Sequence, residues 1–130
     1  MNLLLDTHVL IWWMQGSKRI GPRARAAMFE DDARLWLSAA SIWEMAIKSA
    51  TGRLVLDTPL EKSVPFLSKQ GVRSLPISVA HALAAGALPP HHADPFDRML
   101  IAQARCEDLV LVTVDPAMEA YEVRTVDASR

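Results

Sequence analysis

The chain has 130 residues, of which 51% are hydrophobic and 22% are charged, and its formal net charge at pH 7 is −1. This composition is typical of a globular domain with a buried core, and it implies no disordered tail. The even charge balance argues against a protein that coats nucleic acid, although bound metal ions can neutralise acidic groups in an enzyme that cuts it. The single cysteine, Cys106, excludes an internal disulfide, and no zinc-site spacing of cysteine and histidine is present.

Two kinds of apolar pattern divide the chain into predicted strands and helices. Short continuous apolar runs predict buried strands, whereas apolar residues three and four positions apart predict helices. Serine, threonine or aspartate before the first helical residue, often followed by proline, marks where several helices begin. In chain order, the sequence predicts a strand at 3–5, helices at 9–14 and from 21, a strand at 35–37, helices at 39–49 and from 58, a strand at 74–77, helices at 79–86 and from 95, and a strand at 109–114.

The alternation of strands with helices predicts an α/β fold with a mainly parallel sheet. Residues 109–114 form the clearest strand, because leucine and β-branched residues continue without interruption, as in a strand covered on both faces. No internal repeat and no long linker divides the chain, so we expect residues 1–130 to form one domain.

The N-terminal stretch is apolar, but Asp6 and His8 interrupt it early and no basic residue precedes it. A secretory signal begins with basic residues, and a membrane-spanning helix needs about 20 mostly apolar ones. We therefore expect no membrane segment and a reducing, cytoplasmic location.

Acidic residues directly follow two of the predicted strands. Asp6 ends the run at 3–5, and Asp115 ends the run at 109–114. Each can cap the helix that comes next, and for either residue alone capping is the simpler interpretation. In an open parallel sheet, however, ligands collect at the carboxyl ends of the strands, and both acids point to that rim.

A third acid, Glu44, lies on a predicted helix that is apolar on nearly every side. Its spacing allows an ordinary surface pair with Lys48, four residues later. Its helix face also carries Ala40 and Ile47, which indicates a partly buried carboxylate that needs a metal or another cation. Both interpretations remain open at the level of sequence.

The stretch HHADPFDRMLIAQA, at residues 91–104, contains two acids with different helical positions. Asp94 suits the N-cap of a helix whose first residue is proline. Asp97 shares a helix face with Leu100 and the other apolar residues, so it should lean towards the rim of the sheet. Arg98 falls on another face, which we expect to be exposed to solvent.

Four acids from separate segments can therefore converge on one rim: Asp6, Glu44, Asp97 and Asp115. Such a set favours Mg²⁺ or Mn²⁺ over zinc, because all of its ligand atoms are oxygens. Carboxylates packed together repel one another, and a bound cation removes that conflict.

Histidines and basic residues offer further contacts. His8 follows Asp6 closely and is a candidate for lining the site, whereas we expect loop or surface roles for His91 and His92, which lack a third ligand at suitable spacing. Candidate phosphate contacts, each more simply explained as a solvated side chain, are Arg19, Arg23, Arg25, Arg34, Lys48, Arg53 and Arg98.

The fragments LLLDTH, SAASIWEMAIKSATGRL, HHADPFDRMLIAQA and LVLVTVDPAM occur in this order across essentially the whole chain. Together they resemble the PIN-domain family and, within it, the VapC-type toxins of bacterial type II toxin–antitoxin pairs. The resemblance implies a three-layer α/β/α fold around a central, mainly parallel sheet. It also implies a metal-dependent endoribonuclease that is inhibited by a cognate antitoxin and leaves 5′-phosphate and 3′-hydroxyl ends.

The resemblance assigns the catalytic and metal-binding acids to Asp6, Glu44, Asp97 and Asp115. It implies one or two Mg²⁺ or Mn²⁺ ions, with Glu44 binding directly or through water. Asp94 is an additional candidate ligand, and the hydroxyls of Thr7 and Thr113 are expected to support the site. The expected partners are an RNA substrate, the antitoxin and a second copy of the chain in a homodimer.

Two other functions remain as alternatives. A PIN-like domain can bind RNA without cutting it, but the complete set of four acids argues against that. An aspartate-based phosphatase also places its nucleophilic acid after the first strand, and it usually needs a second acid close behind. Here Thr7 and His8 follow Asp6, which disfavours this second alternative.

Overall fold

The computed structural model describes all 130 residues, and it contains five strands, six α-helices and one short 3₁₀ helix. The strands are β1 (Asn2–Leu5), β2 (Arg34–Ser38), β3 (Val72–Leu75), β4 (Val110–Thr113) and β5 (Thr125–Asp127). The helices are α1 (Thr7–Met14), α2 (Pro22–Met28), α3 (Ala39–Ala50), α4 (Leu60–Lys69), α5 (Val79–Ala87) and α6 (Pro95–Cys106). The 3₁₀ helix, Pro116–Ala120, lies between β4 and β5.

The five strands form one sheet in the order β3-β2-β1-β4-β5, and every neighbouring pair is parallel. In the middle of the sheet, Leu4 of β1 is paired with Trp36 of β2 on one side and with Leu111 of β4 on the other. The prediction of an α/β fold with a mainly parallel sheet is confirmed. The strand order reverses at β1, so the crevice between the ends of β1 and β4 is the position where such sheets bind ligands.

Helices cover both faces of the sheet, which gives the three layers that the resemblance implied. Leu3 and Leu5 point into a core that contains Met45 of α3 and further residues of α1, α2 and α4. Leu4 points to the opposite face, where Leu100 of α6 belongs to a second core. This alternation explains the uninterrupted leucine run of β1, because both faces of the strand are buried.

Three local details differ from the elements expected from sequence. β3 lies two residues earlier than predicted: Gly71 turns the chain with a φ of 92°, Val72 and Leu75 are buried, and Pro76 ends the strand. α1 begins at Thr7 instead of residue 9, because Asp6 caps it. β5 was not predicted at all, since a three-residue edge strand carries almost no pattern. None of the helices combines the length and apolar character that crossing a membrane requires.

Candidate active site

The four predicted acids come from the elements that surround the crevice between β1 and β4. Asp6 follows β1 and Asp115 follows β4, while α3 supplies Glu44 and α6 supplies Asp97 in its first turn. Short contacts link them. Thr7 donates to both Asp6 and Glu44, and the hydroxyl of Thr113 contacts Asp6 and the backbone of Asp115. Nε2 of His92 lies within 3.0 Å of Asp97 and Asp115. The fold therefore brings the four acids to one rim.

Asp6 is buried and held by the backbone and by a threonine. The backbone N–H of Thr7 donates to its Oδ1 at 2.6 Å, and the hydroxyl of Thr113 donates to its Oδ2 at 2.7 Å. Burial raises the pKa of Asp6 above its ordinary value, against the lowering effect of these hydrogen bonds. The same residue caps α1, so the capping role and a place at the rim are compatible.

Glu44 is buried, and both of its oxygens bind protein groups. Its Oε1 lies 2.8 Å from the hydroxyl of Thr7, which also contacts Ser41, and its Oε2 lies 2.6 Å from Nζ of Lys48. The sequence left two interpretations open for Glu44, a pair with Lys48 or a buried carboxylate. The structure shows both at once. The hydroxyl of Thr7 supports Glu44, whereas that of Thr113 supports Asp6.

Asp94 and Asp97 lie in the same turn but have different surroundings. Oδ1 of Asp94 accepts from the backbone N–H groups of Phe96 at 2.8 Å and of Asp97 at 3.2 Å, which makes Asp94 the N-cap of α6. The carboxylate of Asp97 receives no backbone hydrogen bond in the structure and lies near Asp6 and Asp94. Burial, and then these two neighbouring charges, raises the pKa of Asp97 to about 7.

Asp115 is held from two sides. Its Oδ1 accepts from the backbone N–H of Ala117 at 2.9 Å, and its Oδ2 accepts from Nε2 of His92 at 2.9 Å. Partial burial acts to raise the pKa of Asp115, but the hydrogen bonds from His92 and Ala117 outweigh it, so the net shift is downward. The same Nε2 of His92 lies 3.0 Å from Oδ2 of Asp97.

His92 is the residue of the site that sequence reasoning missed. We expected a loop or surface role, and the structure instead places its ring between Asp97 and Asp115. Its neighbour His91 is exposed and packs its ring against the edge of Tyr121. The available signal was a histidine two residues before the helix-capping Asp94, but nothing in the sequence showed how the loop would fold.

Arg98 corrects the expectation of a solvent-facing phosphate contact. Its guanidinium is partly buried and donates to the backbone carbonyls of Ala85, Leu88 and Pro89 at 2.9–3.0 Å. It also reaches the carbonyl of His92 at 3.4 Å. Arg98 therefore organises the loop before α6. Among the other basic candidates, Arg25 similarly donates to backbone carbonyls of its own segment.

The residues at the rim fit a divalent cation. Side-chain nitrogen or oxygen atoms of His92, Asp97 and Asp115 all lie within 4.8 Å of one another, and the buried carboxylate of Asp6 is joined to the backbone of Asp115 through the hydroxyl of Thr113. Burial raises the pKa of both Asp6 and Asp97, because it disfavours their ionised form. A cation would stabilise both carboxylates in their ionised form. Because the acids contribute only oxygens, they suit a hard ion.

The chain belongs to the PIN-domain family, because the family model described as PIN domain matches residues 3–123. It is also 32% identical, over 121 residues, to Ribonuclease VapC22 of Mycobacterium tuberculosis, and the match covers 92% of each chain. The resemblance to PIN domains and to VapC-type proteins that the sequence fragments indicated is confirmed.

Solved structures with lower sequence identity share the fold. The structure of VapBC-1 from nontypeable Haemophilus influenzae matches with a TM-score of 0.67 at 22% identity and covers all of both chains. VapBC2 from Rickettsia felis, bound to a DNA fragment from its promoter, matches with a TM-score of 0.70 at 12% identity and covers 97% of this chain and 98% of the other.

Proposed function

We propose that the chain is a metal-dependent endoribonuclease and the toxin of a type II toxin–antitoxin pair. The observation that carries the proposal is the convergence of Asp6, Asp97 and Asp115, with Glu44 beside them, at the position where the sheet reverses its strand order. The name of the M. tuberculosis relative supports the ribonuclease activity. The VapBC complexes among the similar structures support an antitoxin as partner. We further propose that residues 1–130 act as one PIN domain in the cytoplasm.

The metal would be Mg²⁺ or Mn²⁺, as one or two ions, held by carboxylate oxygens of Asp6, Asp97 and Asp115. Glu44 fits an indirect role, through water, because both of its oxygens already bind Thr7 and Lys48. Asp94 fits the role of helix cap better than that of a ligand. A bound divalent ion supplies Lewis-acid chemistry: it neutralises charge on the phosphodiester and makes water more acidic.

The protein's own groups prepare the acids for this role. Thr7 and Thr113 fix both oxygens of Asp6, and each oxygen keeps a lone pair for a ligand. The pKa of Asp97, about 7, lets its carboxyl group release a proton near neutral pH when a cation arrives. Lys48, which is partly exposed, places a positive charge beside Glu44 where a phosphate can approach.

The proposed function is tested by mapping cleaved RNA ends in total RNA after induction of the protein in a bacterial host. We expect the natural chain to produce discrete new ends, and Asp97→Asn to produce none. Asp31→Asn is the matched control: Asp31 is exposed and precedes β2, whereas the acids lie at the carboxyl ends of the parallel strands, so this variant should cut like the natural chain. Undiminished cleavage by Asp97→Asn would contradict the proposal, and binding of RNA without any cleavage would favour the non-catalytic alternative.

The antitoxin proposal has its own test. If a small reading frame beside the gene encodes the antitoxin, its product should copurify with the chain and suppress the new RNA ends when the two are expressed together. Coexpression that leaves cleavage unchanged would contradict that assignment of the partner.

A further inference from the structure

The loop between α5 and α6 is fixed by a set of hydrogen bonds that meet at His92. The hydroxyl of Tyr121 accepts from the backbone N–H of His92 at 2.8 Å and donates to the carbonyl of Pro89 at 2.8 Å. Arg98 ties the same loop to α5 and α6 through four backbone carbonyls, including that of His92. A loop with this many anchors presents its side chain in one place, so the position of the His92 ring is built into the fold.

The orientation of the ring follows from one backbone donor. The N–H of Asp94 donates to Nδ1 of His92 at 3.1 Å, so Nδ1 accepts and its lone pair is occupied. A histidine whose Nδ1 accepts a hydrogen bond carries its hydrogen on Nε2. That Nε2–H group donates to Oδ2 of Asp115 at 2.9 Å and lies 3.0 Å from Oδ2 of Asp97.

We infer that His92 is a positioning residue, and not a metal ligand, that holds the carboxylates of Asp97 and Asp115 together through its Nε2–H group. A ligating histidine needs a bare nitrogen towards the metal and usually donates its other N–H to an acceptor. Here the other nitrogen faces a donor, the N–H of Asp94, which is the reverse arrangement.

This role matters because the two carboxylates come from separate parts of the fold. Asp97 belongs to α6 and Asp115 follows β4, and like charges at close range repel each other. The Nε2–H group of His92 donates to Asp115 and lies 3.0 Å from Oδ2 of Asp97, so its partial positive charge offsets this repulsion while each carboxylate keeps lone pairs for a cation. The inference rests on the proposed function, since it assumes that these acids bind a divalent ion.

The test compares the affinity for Mn²⁺ alone, measured by calorimetry, among the natural chain and three variants. His92→Ala should bind Mn²⁺ about 10- to 100-fold more weakly, the usual cost of losing a group that orients metal ligands. His92→Gln should retain most of the affinity, because its amide N–H can replace Nε2–H. His91→Gln is the matched control, since His91 contacts no carboxylate, and it should bind like the natural chain.

The Mn²⁺ affinities of these variants separate positioning from a merely structural role, and two spectroscopic measurements separate it from ligation. Nitrogen-15 NMR of the metal-free protein should show that Nε2 of His92 carries a hydrogen. Electron spin echo spectroscopy of the Mn²⁺-loaded protein should show no directly bound imidazole nitrogen.

A directly bound imidazole nitrogen, a bare Nε2, or natural Mn²⁺ affinity in a folded His92→Ala variant would each overturn the inference. Failure of the natural chain to bind Mn²⁺ would instead contradict the proposed function, and the NMR result on the metal-free protein would still test the orientation of the ring.

Discussion

At Asp97 the fold favours the neutral carboxyl group, whereas the proposed metal binding needs the ionised carboxylate. Its helix position directs it towards the rim, with Leu100, Ile101 and Ala104 of the same face fully or almost fully buried beneath it. Burial and the charges of Asp6 and Asp94 raise its pKa to about 7, whereas Asp115 has a lowered pKa and stays ionised. Because Asp97 titrates near neutral pH, a cation and a proton compete for its carboxylate.

We therefore predict that the affinity for Mn²⁺ falls as the pH is lowered below about 7, because Asp97 must lose its proton when the ion binds. Well below that pKa, each pH unit should cost up to about tenfold in affinity for this one proton. Calorimetry at pH 6 in buffers with different ionisation enthalpies should show a proton released on binding. An affinity for Mn²⁺ that stays the same from about pH 5.5 to about pH 8 would contradict the assignment of Asp97.

At the scale of secondary structure, α6 is the element that organises the site. Its N-cap is Asp94, its first turn carries Asp97, and its Arg98 anchors the loop that holds His92. The first turn of α6 therefore fixes the positions of Asp97 and His92 and the contact between them.

Replacing Asp94 tests this organisation. Asp94→Ala removes the acceptor for the N–H groups of Phe96 and Asp97, and it should lower the free energy of unfolding by about 1 kcal/mol. Asp94→Asn is the control, since asparagine caps helices about as well as aspartate and should leave stability nearly unchanged. Urea unfolding of both variants measures the difference. Equal losses in both would show that the charge of Asp94, and not its capping bonds, stabilises the helix.

The elements that sequence predicted well are those whose pattern is local. The leucines of β1, the serine cap of α3 and the Asp-Pro start of α6 each contain their own signal. β5 has only three residues, and its place depends on its pairing with β4, as Val126 with Val112 shows. Its existence is a property of the tertiary structure, and no local pattern marks it.

The residues of the site differ in the same way: some have a local signal in the sequence, and one depends on tertiary contacts. The acids could be predicted because they directly follow strands or lie on a helix face with a clear apolar period. The place of His92 depends on Tyr121, which is 29 residues away, and on an arginine whose helix face suggested solvent. Such long-range hydrogen bonds leave no periodic trace in a single sequence.

At the scale of the whole molecule, an apolar hollow of about 590 Å³ lies open on the surface beside α3. Leu37, Ile42, Trp43 and Val64 line it, and Trp43 is 61% exposed although its ring packs against Phe96. Exposed apolar surface of this kind commonly marks an interface between proteins.

We predict that the chain forms a homodimer and that Trp43→Glu weakens it, because the change places a charge on this apolar surface. Light scattering after size-exclusion chromatography measures the mass. Val55→Glu is the matched control, since Val55 is also exposed but does not line the hollow. A natural chain that remains a monomer at high concentration would contradict the prediction, and equal weakening by both variants would exclude the hollow as the interface.

The central claim is that the acids at the rim of the sheet form a metal-dependent ribonuclease site. Its most direct test is the cleavage rate of an RNA substrate by the purified chain, with Mg²⁺ or Mn²⁺ and with EDTA, for the natural chain, Asp6→Asn and Asp97→Asn. We expect cleavage that EDTA abolishes and that each substitution lowers by at least about 100-fold, with a circular dichroism spectrum like that of the natural chain. Cleavage that persists in EDTA, or in the folded variants at the natural rate, would contradict the account.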